Sequence, residues 1–181
     1  MKLKSVLQII LTISFLAFLT QASCDHHHPD RPSNSTSIDR AGGKHLSAEA
    51  MEKLIKLDGH LVYVPVYSHI YHQEDKVFYL TNTLSIRNTD VTNPIYILSV
   101  DYYDTKGKLV REYASSPMML PPLSTLEYIV GSRDTAGGSG ANFTVEWMSD
   151  KKVSAPIIEC IMISSGSQQG ISFLTRGVNI N

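Results

Sequence analysis

The stretch Ile95-Tyr96-Ile97-Leu98-Ser99-Val100-Asp101-Tyr102-Tyr103-Asp104-Thr105-Lys106-Gly107-Lys108-Leu109-Val110-Arg111-Glu112-Tyr113 decides the fold. Ile95 to Tyr103 is dominated by β-branched, aromatic and other apolar side chains, the composition of a strand. Asp104-Thr105-Lys106-Gly107 then reads as a tight turn in which Gly107 takes the positive φ that such hairpins need. Lys108 to Tyr113 is expected to return antiparallel to the first strand.

Outward from this hairpin the same signal recurs. Strands are expected at Leu61 to Tyr71 and Val77 to Arg87 on one side. On the other side they are expected at Thr125 to Val130, Asn142 to Met148, Ile157 to Ser164 and Ile171 to Thr175. Turn residues separate them, and no helical period intervenes. Strands without crossover helices cannot build a parallel sheet, so the expected fold is all-β, an antiparallel Ig-like β-sandwich of about 7–8 strands. Pro65 lacks a ladder donor and pushes the first strand to an edge or a bulge. Trp147 is the natural core anchor, with Leu84, Ile86, Leu98, Val100, Val110, Ile129, Val145 and Ile161 the other expected interior positions.

One short helix is expected before the sandwich. Ser47 caps it, Leu46 and Met51 form a hydrophobic staple, and Glu49 complements the N-terminal dipole. Met51, Leu54 and Ile55 share one face, and Asp58-Gly59 stops the helix.

The N-terminus reads as an export signal. Lys2 and Lys4 are its positive region, Val6 to Leu19 its apolar region, and Thr20-Gln21-Ala22-Ser23 offers small residues before Cys24. The apolar run is interrupted by Gln8, Thr12 and Ser14 and falls short of the ~20 residues that span a bilayer. The pattern resembles the lipobox of bacterial lipoproteins, in which the cysteine becomes the lipidated N-terminus; Gln21 stands where that motif usually has Leu. An ordinary cleavage before Ser23 is the alternative. The expected organisation is therefore a lipoprotein-type signal peptide over residues 1–23, a flexible polar tether over 24–45, and a helix plus sandwich over 46–181. A flexible chain of the tether's length would hold the domain ~20–25 Å from its anchor. The expected location is a lipid anchor at Cys24 in the cell membrane or outer membrane, facing the periplasm or the exterior.

Sixteen Lys and Arg against seventeen Asp and Glu leave a formal net charge of −1, so nothing points to nucleic acid as a partner. Cys24 and Cys160 are the two cysteines, too few for a disulfide framework. Cys160, flanked by Ile157, Ile158, Ile161 and Ile163, reads as core filler.

Five segments carry a family likeness: Thr83-Leu84-Ser85-Ile86-Arg87-Asn88 and Asp101-Tyr102-Tyr103-Asp104, then Leu120-Pro121-Pro122-Leu123-Ser124, Gly138-Ser139-Gly140-Ala141-Asn142-Phe143 and Gln168-Gln169-Gly170-Ile171-Ser172-Phe173. Over Tyr63 to Gly177 the chain resembles a family of exported bacterial proteins known only as a domain of unknown function. Residues Asn88 to Val130 are also similar to Ig-like modules of bacterial lipoproteins. The likeness implies a fold and a compartment, and no chemistry.

If successive strands alternate in direction, the loops at His72 to Lys76, Asp104 to Gly107, Gly131 to Ala141 and Ser165 to Gly170 emerge at one end of the sandwich. That end would gather the candidate binding residues His72, Arg133, Asp134, Gly138, Gln168 and Gln169, Arg133 offering a bidentate fork and the glycines a nest for an anionic group. The alternative is that Arg133 and Asp134 pair with each other and the glycines only turn the chain. Gly138-Ser139-Gly140 is neither a nucleophile elbow nor a phosphate loop, and no catalytic residue or cofactor is expected.

Two readings of function follow. The first is a non-catalytic module binding an envelope protein or polar ligand through the loop end or a sheet edge, with Tyr63, Tyr67 and Tyr71 a contact stripe. The second is an envelope metal-binding or metal-carrying protein using His26, His27, His28, His69 or His72. The odd separation of His69 and His72 sends them to opposite faces of a strand, which argues against joint ligation.

Overall fold

A computed structural model describes residues 44–46, 59–165 and 170–180. The expected signal, Cys24, most of the tether, His26 to His28, the helix from Ser47 and the pair Gln168 and Gln169 lie outside them. The described chain is all-β, with no helix among the described residues. Its strands are β1 (Lys44–His45), β2 (His60–Pro65), β3 (His69–Gln73), β4 (Lys76–Tyr79), β5 (Thr81–Arg87), β6 (Ile95–Tyr103) and β7 (Leu109–Ala114). They continue as β8 (Met118–Leu120), β9 (Thr125–Val130), β10 (Asn142–Met148), β11 (Ile157–Ser164), β12 (Ile171–Arg176) and β13 (Val178–Asn179).

Two antiparallel sheets and one separate hairpin result. The larger sheet runs β1-β8-β6-β10-β2-β13, with β7 also paired to β6. The four-stranded sheet runs β12-β11-β5-β9, and β3 pairs with β4 alone. The two sheets share one hydrophobic cluster: Val64, Val100, Phe143 and Val145 from the larger sheet meet Leu84, Ile86, Tyr128 and Met162 from the smaller. Aromatic rings fill its middle, Tyr102 lying 4.9 Å from Phe143 and Tyr113 5.3 Å from Tyr128. Trp147 is buried in the same cluster and stacks on His60 at 4.6 Å.

The β6–β7 hairpin closes as its residue types require. Gly107 has φ 76°, its N–H donates to the Asp104 carbonyl at 2.9 Å, and Asp104 Oδ1 accepts from the Lys106 and Lys108 N–H groups at 2.8 and 2.9 Å. The carboxylate thus satisfies donors that the turn strips of ladder partners.

Several expectations need correction. The strand expected over Leu61 to Tyr71 is two strands, broken at Val66-Tyr67-Ser68, and the one over Val77 to Arg87 breaks at Leu80. Pro65 and Ser68 flank the first break, and no turn residue marks the second. The backbone there finds other partners, Val66 N–H donating to Ala141 O and Ser68 N–H to Gly138 O, and this carries β3 and β4 out of both sheets. Pro65 is the last residue of β2, beyond Val62 and Tyr63, which β13 pairs. Lys44 and His45, expected in the tether, form β1 against β8.

Leu84, Ile86, Val100 and Val145 are fully buried, and Val110 packs partly buried against the core. Ile129 and Ile161 instead point outward while Tyr128, Val130, Cys160 and Met162 face inward. Runs that are apolar at nearly every position, such as Ile157 to Ile163, carry no phase for alternation to reveal. Leu98 is displaced by a β-bulge: Glu146 pairs with Ser99 and Trp147 with Ile97, so Leu98 has no partner on β10.

Gly177 closes one flank by letting the chain pass from β12 to β13 in the other sheet. Its N–H donates to Ile158 O at 2.8 Å, and a Cβ there would collide with Val62. At the end opposite the hairpin, buried Asn88 donates to the carbonyls of Asn93, Leu120 and Pro121 at 2.9, 3.1 and 3.1 Å. Asp90 beside it accepts N–H bonds from Thr92 and Asn93, which hold its carboxyl down to about 2.

Candidate functional site

Strand direction places the β3–β4 hairpin, the 104–108 turn and the 131–141 loop at one end of the sandwich, because Pro65, Tyr103, Asn142 and Val130 all terminate there. Thr105 joins two of these loops. Its N–H and Oγ1 donate to Gly137 O at 2.9 and 3.0 Å, and its Oγ1 accepts from the Gly140 N–H at 3.0 Å. Arg111 fastens the same loop to β7: one guanidinium nitrogen donates to Asp134 Oδ2 at 2.8 Å and another to Tyr113 Oη at 2.7 Å. The guanidinium carbon also lies 5.3 Å from the Tyr113 ring centre, a cation–π arrangement.

These bonds decide what the candidate residues can do. Asp134 pairs with Arg111 and not with Arg133, and the Arg133 side chain is exposed. Gly138 has φ 77°; its N–H donates to Thr135 O and its carbonyl accepts from Ser68 N–H. The Gly138 N–H is taken within the loop by Thr135 O and the Gly140 N–H across to the 104–108 turn by Thr105 Oγ1, so these two donors are committed to holding the loops together and not to a nest.

The hairpin presents the aromatic side chains. His69 contacts Tyr71 at 5.4 Å and Tyr79 at 6.1 Å between ring centres. His72 lies on Phe78 at 4.3 Å. Since Phe78 pairs with Ile70 and Tyr79 with His69, the two histidines occupy opposite faces. Tyr71 and Tyr79 are 63% and 51% exposed. Tyr63 and Tyr67 do not join them in a stripe: Tyr63 is half-buried on β2, and Tyr67 packs edge-on to Phe173 at 6.0 Å. Thr105, Arg111 and the His69-Tyr71-Tyr79 cluster are the residues that sequence reasoning misses. Alternating aromatics either side of the polar turn Gln73-Glu74-Asp75-Lys76 are the signal that could have found the cluster.

Ser68 Oγ lies 2.9 Å from His69 Nδ1, the spacing of a hydroxyl–imidazole pair, but Ser68 is wholly buried. The hydroxyl faces the ring from inside the protein. Cys160 is also wholly buried, and burial pushes its thiol up to about 12, far from the depressed values of reactive cysteines. Among the described residues no group of three or more His, Cys, Asp or Glu is placed to hold a metal ion, and no helix is long and apolar enough to cross a membrane.

A family model described as "Protein of unknown function (DUF3124)" matches residues 59–180. No curated protein matches the chain. A solved structure titled "Crystal Structure of Thermotoga maritima 1070" is similar over 66% of this chain and 92% of its own, with 11% identity and a TM-score of 0.40.

Proposed function

As a member of the family of proteins of unknown function DUF3124, the chain carries a shared domain with no assigned chemistry, and we propose that it is an exported, lipid-anchored binding module of the bacterial cell envelope, without catalytic activity. The carrying observation is the β3–β4 hairpin. It pairs with neither sheet and exposes Tyr71 and Tyr79 around His69. An isolated hairpin is marginally stable in water, and exposed tyrosines with one apolar face and one polar tip are enriched where proteins bind partners. Arg133, free of Asp134 on the adjoining loop, adds a positive fork at the same end.

Export and anchoring are supported by the charged, apolar and small-residue succession that ends at Cys24. An Ig-like reading of the sandwich is supported by its central pairs, β5 with β9 and β6 with β10, which correspond to the B–E and C–F positions. Two strands exchange sheets relative to that pattern: β2 lies beside β10 and β11 beside β5.

The test is photo-crosslinking in native membranes from a probe placed at Gln73 on the hairpin tip. A partner captured by the parent chain and lost from Tyr71→Ala/Tyr79→Ala, with Arg133→Ala weakening capture, is the expected result. Identical capture by all variants would remove the hairpin from the reading. Mass spectrometry of the native N-terminus is expected to find a lipidated Cys24, and a free Ser23 terminus in the soluble fraction would refute the anchor.

A further inference from the structure

The outer face of the four-stranded sheet is uncovered along β12 and the ends of β11 and partly exposed elsewhere, with Ser85 buried beside Arg87; it is apolar at its middle and charged in a self-complementary order. Register sets the rows: Leu174, Ile161, Thr83 and Ile129 lie side by side across β12, β11, β5 and β9. The next row is Arg176, Glu159, Ser85 and Glu127. Leu174 is 53% exposed, Ile163 48% and Ile157 39%. The core lies on the opposite side of these strands, so nothing in the sandwich needs this face to be apolar. An exposed apolar patch rimmed by charge marks an interaction site.

Charge narrows the occupant. Arg176 and Arg87 flank Glu159 at 3.7 and 3.9 Å, while Glu127 stands at the far end of the Arg176 row without an ion pair among the described residues. The face thus holds two arginines and two glutamates. A twofold axis parallel to the strands, between β11 and β5, would lay each row on its own reverse. Arg176 then meets Glu127 of the second copy, Leu174 meets Ile129, and Ile161 meets Thr83. Such an axis keeps the strands of the two sheets aligned, the usual geometry of face-to-face sheet packing, and every contact occurs twice, as an isologous interface requires.

Other parts of the chain fit less well. The segment 46–58 leaves from β1 and returns at β2, both in the larger sheet, and Asp25 to Gly43 is too polar to match the isoleucines. We propose that this outer face, built on β12, β11, β5 and β9, is the self-association surface of the protein and takes a second copy of the same chain. Four strands about 4.8 Å apart and six residues at about 3.3 Å each offer on the order of 400 Å² of sheet plane, which places the contact among weak, concentration-dependent associations. The face is distinct from the hairpin end, so self-association and partner capture at the hairpin stand or fall separately.

The test is sedimentation equilibrium of the full chain in a detergent that keeps its N-terminus soluble, across a wide concentration range. The expected result is a concentration-dependent dimer. Glu127→Arg and Arg176→Glu each weaken it roughly tenfold, because two symmetry-related pairs become repulsive at once, and combining the two reversals restores it. Leu174→Lys is expected to abolish association, while Val91→Lys, 72% exposed and elsewhere, leaves it unchanged; melting curves verify that each variant is folded. A monomer at every concentration, single reversals without effect in folded protein, or a double reversal that fails to recover the dimer would each overturn the proposal.

Discussion

Gly137 is the residue on which the loop end turns. Its carbonyl takes both donors of Thr105, and a Cβ at this position would fall against the Tyr102 ring, with Cζ at 2.6 Å and the Ala141 Cβ at 2.7 Å. Neither neighbour is free to yield: Tyr102 is fully buried against Phe143, and Ala141 O holds the Val66 N–H. The constraint is steric, since Gly137 is not at positive φ. Overpacking of this kind costs about 1–3 kcal/mol, so Gly137→Ala is expected to lower the urea midpoint by that equivalent. Gly131, where an added Cβ would meet nothing within 4 Å, is the control, and Gly131→Ala should lie close to the parent. Equal midpoints for both would mean that the Tyr102 contact yields freely.

At the scale of elements, the β6–β7–β10 surface shows how strand pairing imposes charge. Asp101 on β6 lies directly opposite Glu112 on β7, and burial first, then the charges of Glu112 and Glu146, raise its carboxyl above the ordinary range against a lowering hydrogen bond from Ser99. The folded state therefore keeps this proton to higher pH than the unfolded chain does. Stability from that proton is complete below the unfolded value and is lost as pH rises through the folded one. At neutral pH the ionised Asp101 costs stability, so Asp101→Asn is expected to raise the melting temperature at pH 7, with the gain shrinking as the buffer is taken below about pH 4. A variant no more stable than the parent at pH 7 would contradict the crowding of these carboxylates. The same elements show what is legible in the chain. Ile95 to Tyr113 carries its own turn chemistry in Asp104 and Gly107, so its hairpin can be read directly. The gathering of the His72, Asp104 and Arg133 loops at one end follows from alternation alone. Ile161 falls on the wrong face in a sequence reading because its strand is apolar on both faces, whereas Ile129 is a lone apolar residue on the outward face of Thr125 and Glu127, and the partner of Asp134 is out of reach because Arg111 is 23 residues away in sequence.

For the whole molecule, the question is whether two sheets with different edges behave as one folding unit. The chain crosses between them repeatedly: β2 and β10 belong to the larger sheet and β5 and β11 to the smaller, so no cut along the sequence separates the layers. Their inner faces form a single cluster with Trp147 on one sheet and Cys160 on the other. Shared burial and interleaved connectivity argue for one cooperative transition. Both probes are native. Trp147, the single tryptophan, reports the larger sheet by fluorescence, and Cys160, wholly buried with its thiol held high by desolvation, reports the smaller by its rate of alkylation. With Cys24 replaced by Ala, the opening free energy from Cys160 labelling in the fast-reclosing regime is expected to equal the unfolding free energy from Trp147 fluorescence. Labelling through an opening markedly cheaper than global unfolding would mean that β11 and β12 detach from the sandwich on their own. Agreement between the probes would establish that the Gly177 crossing and the shared aromatic core bind both sheets into one unit.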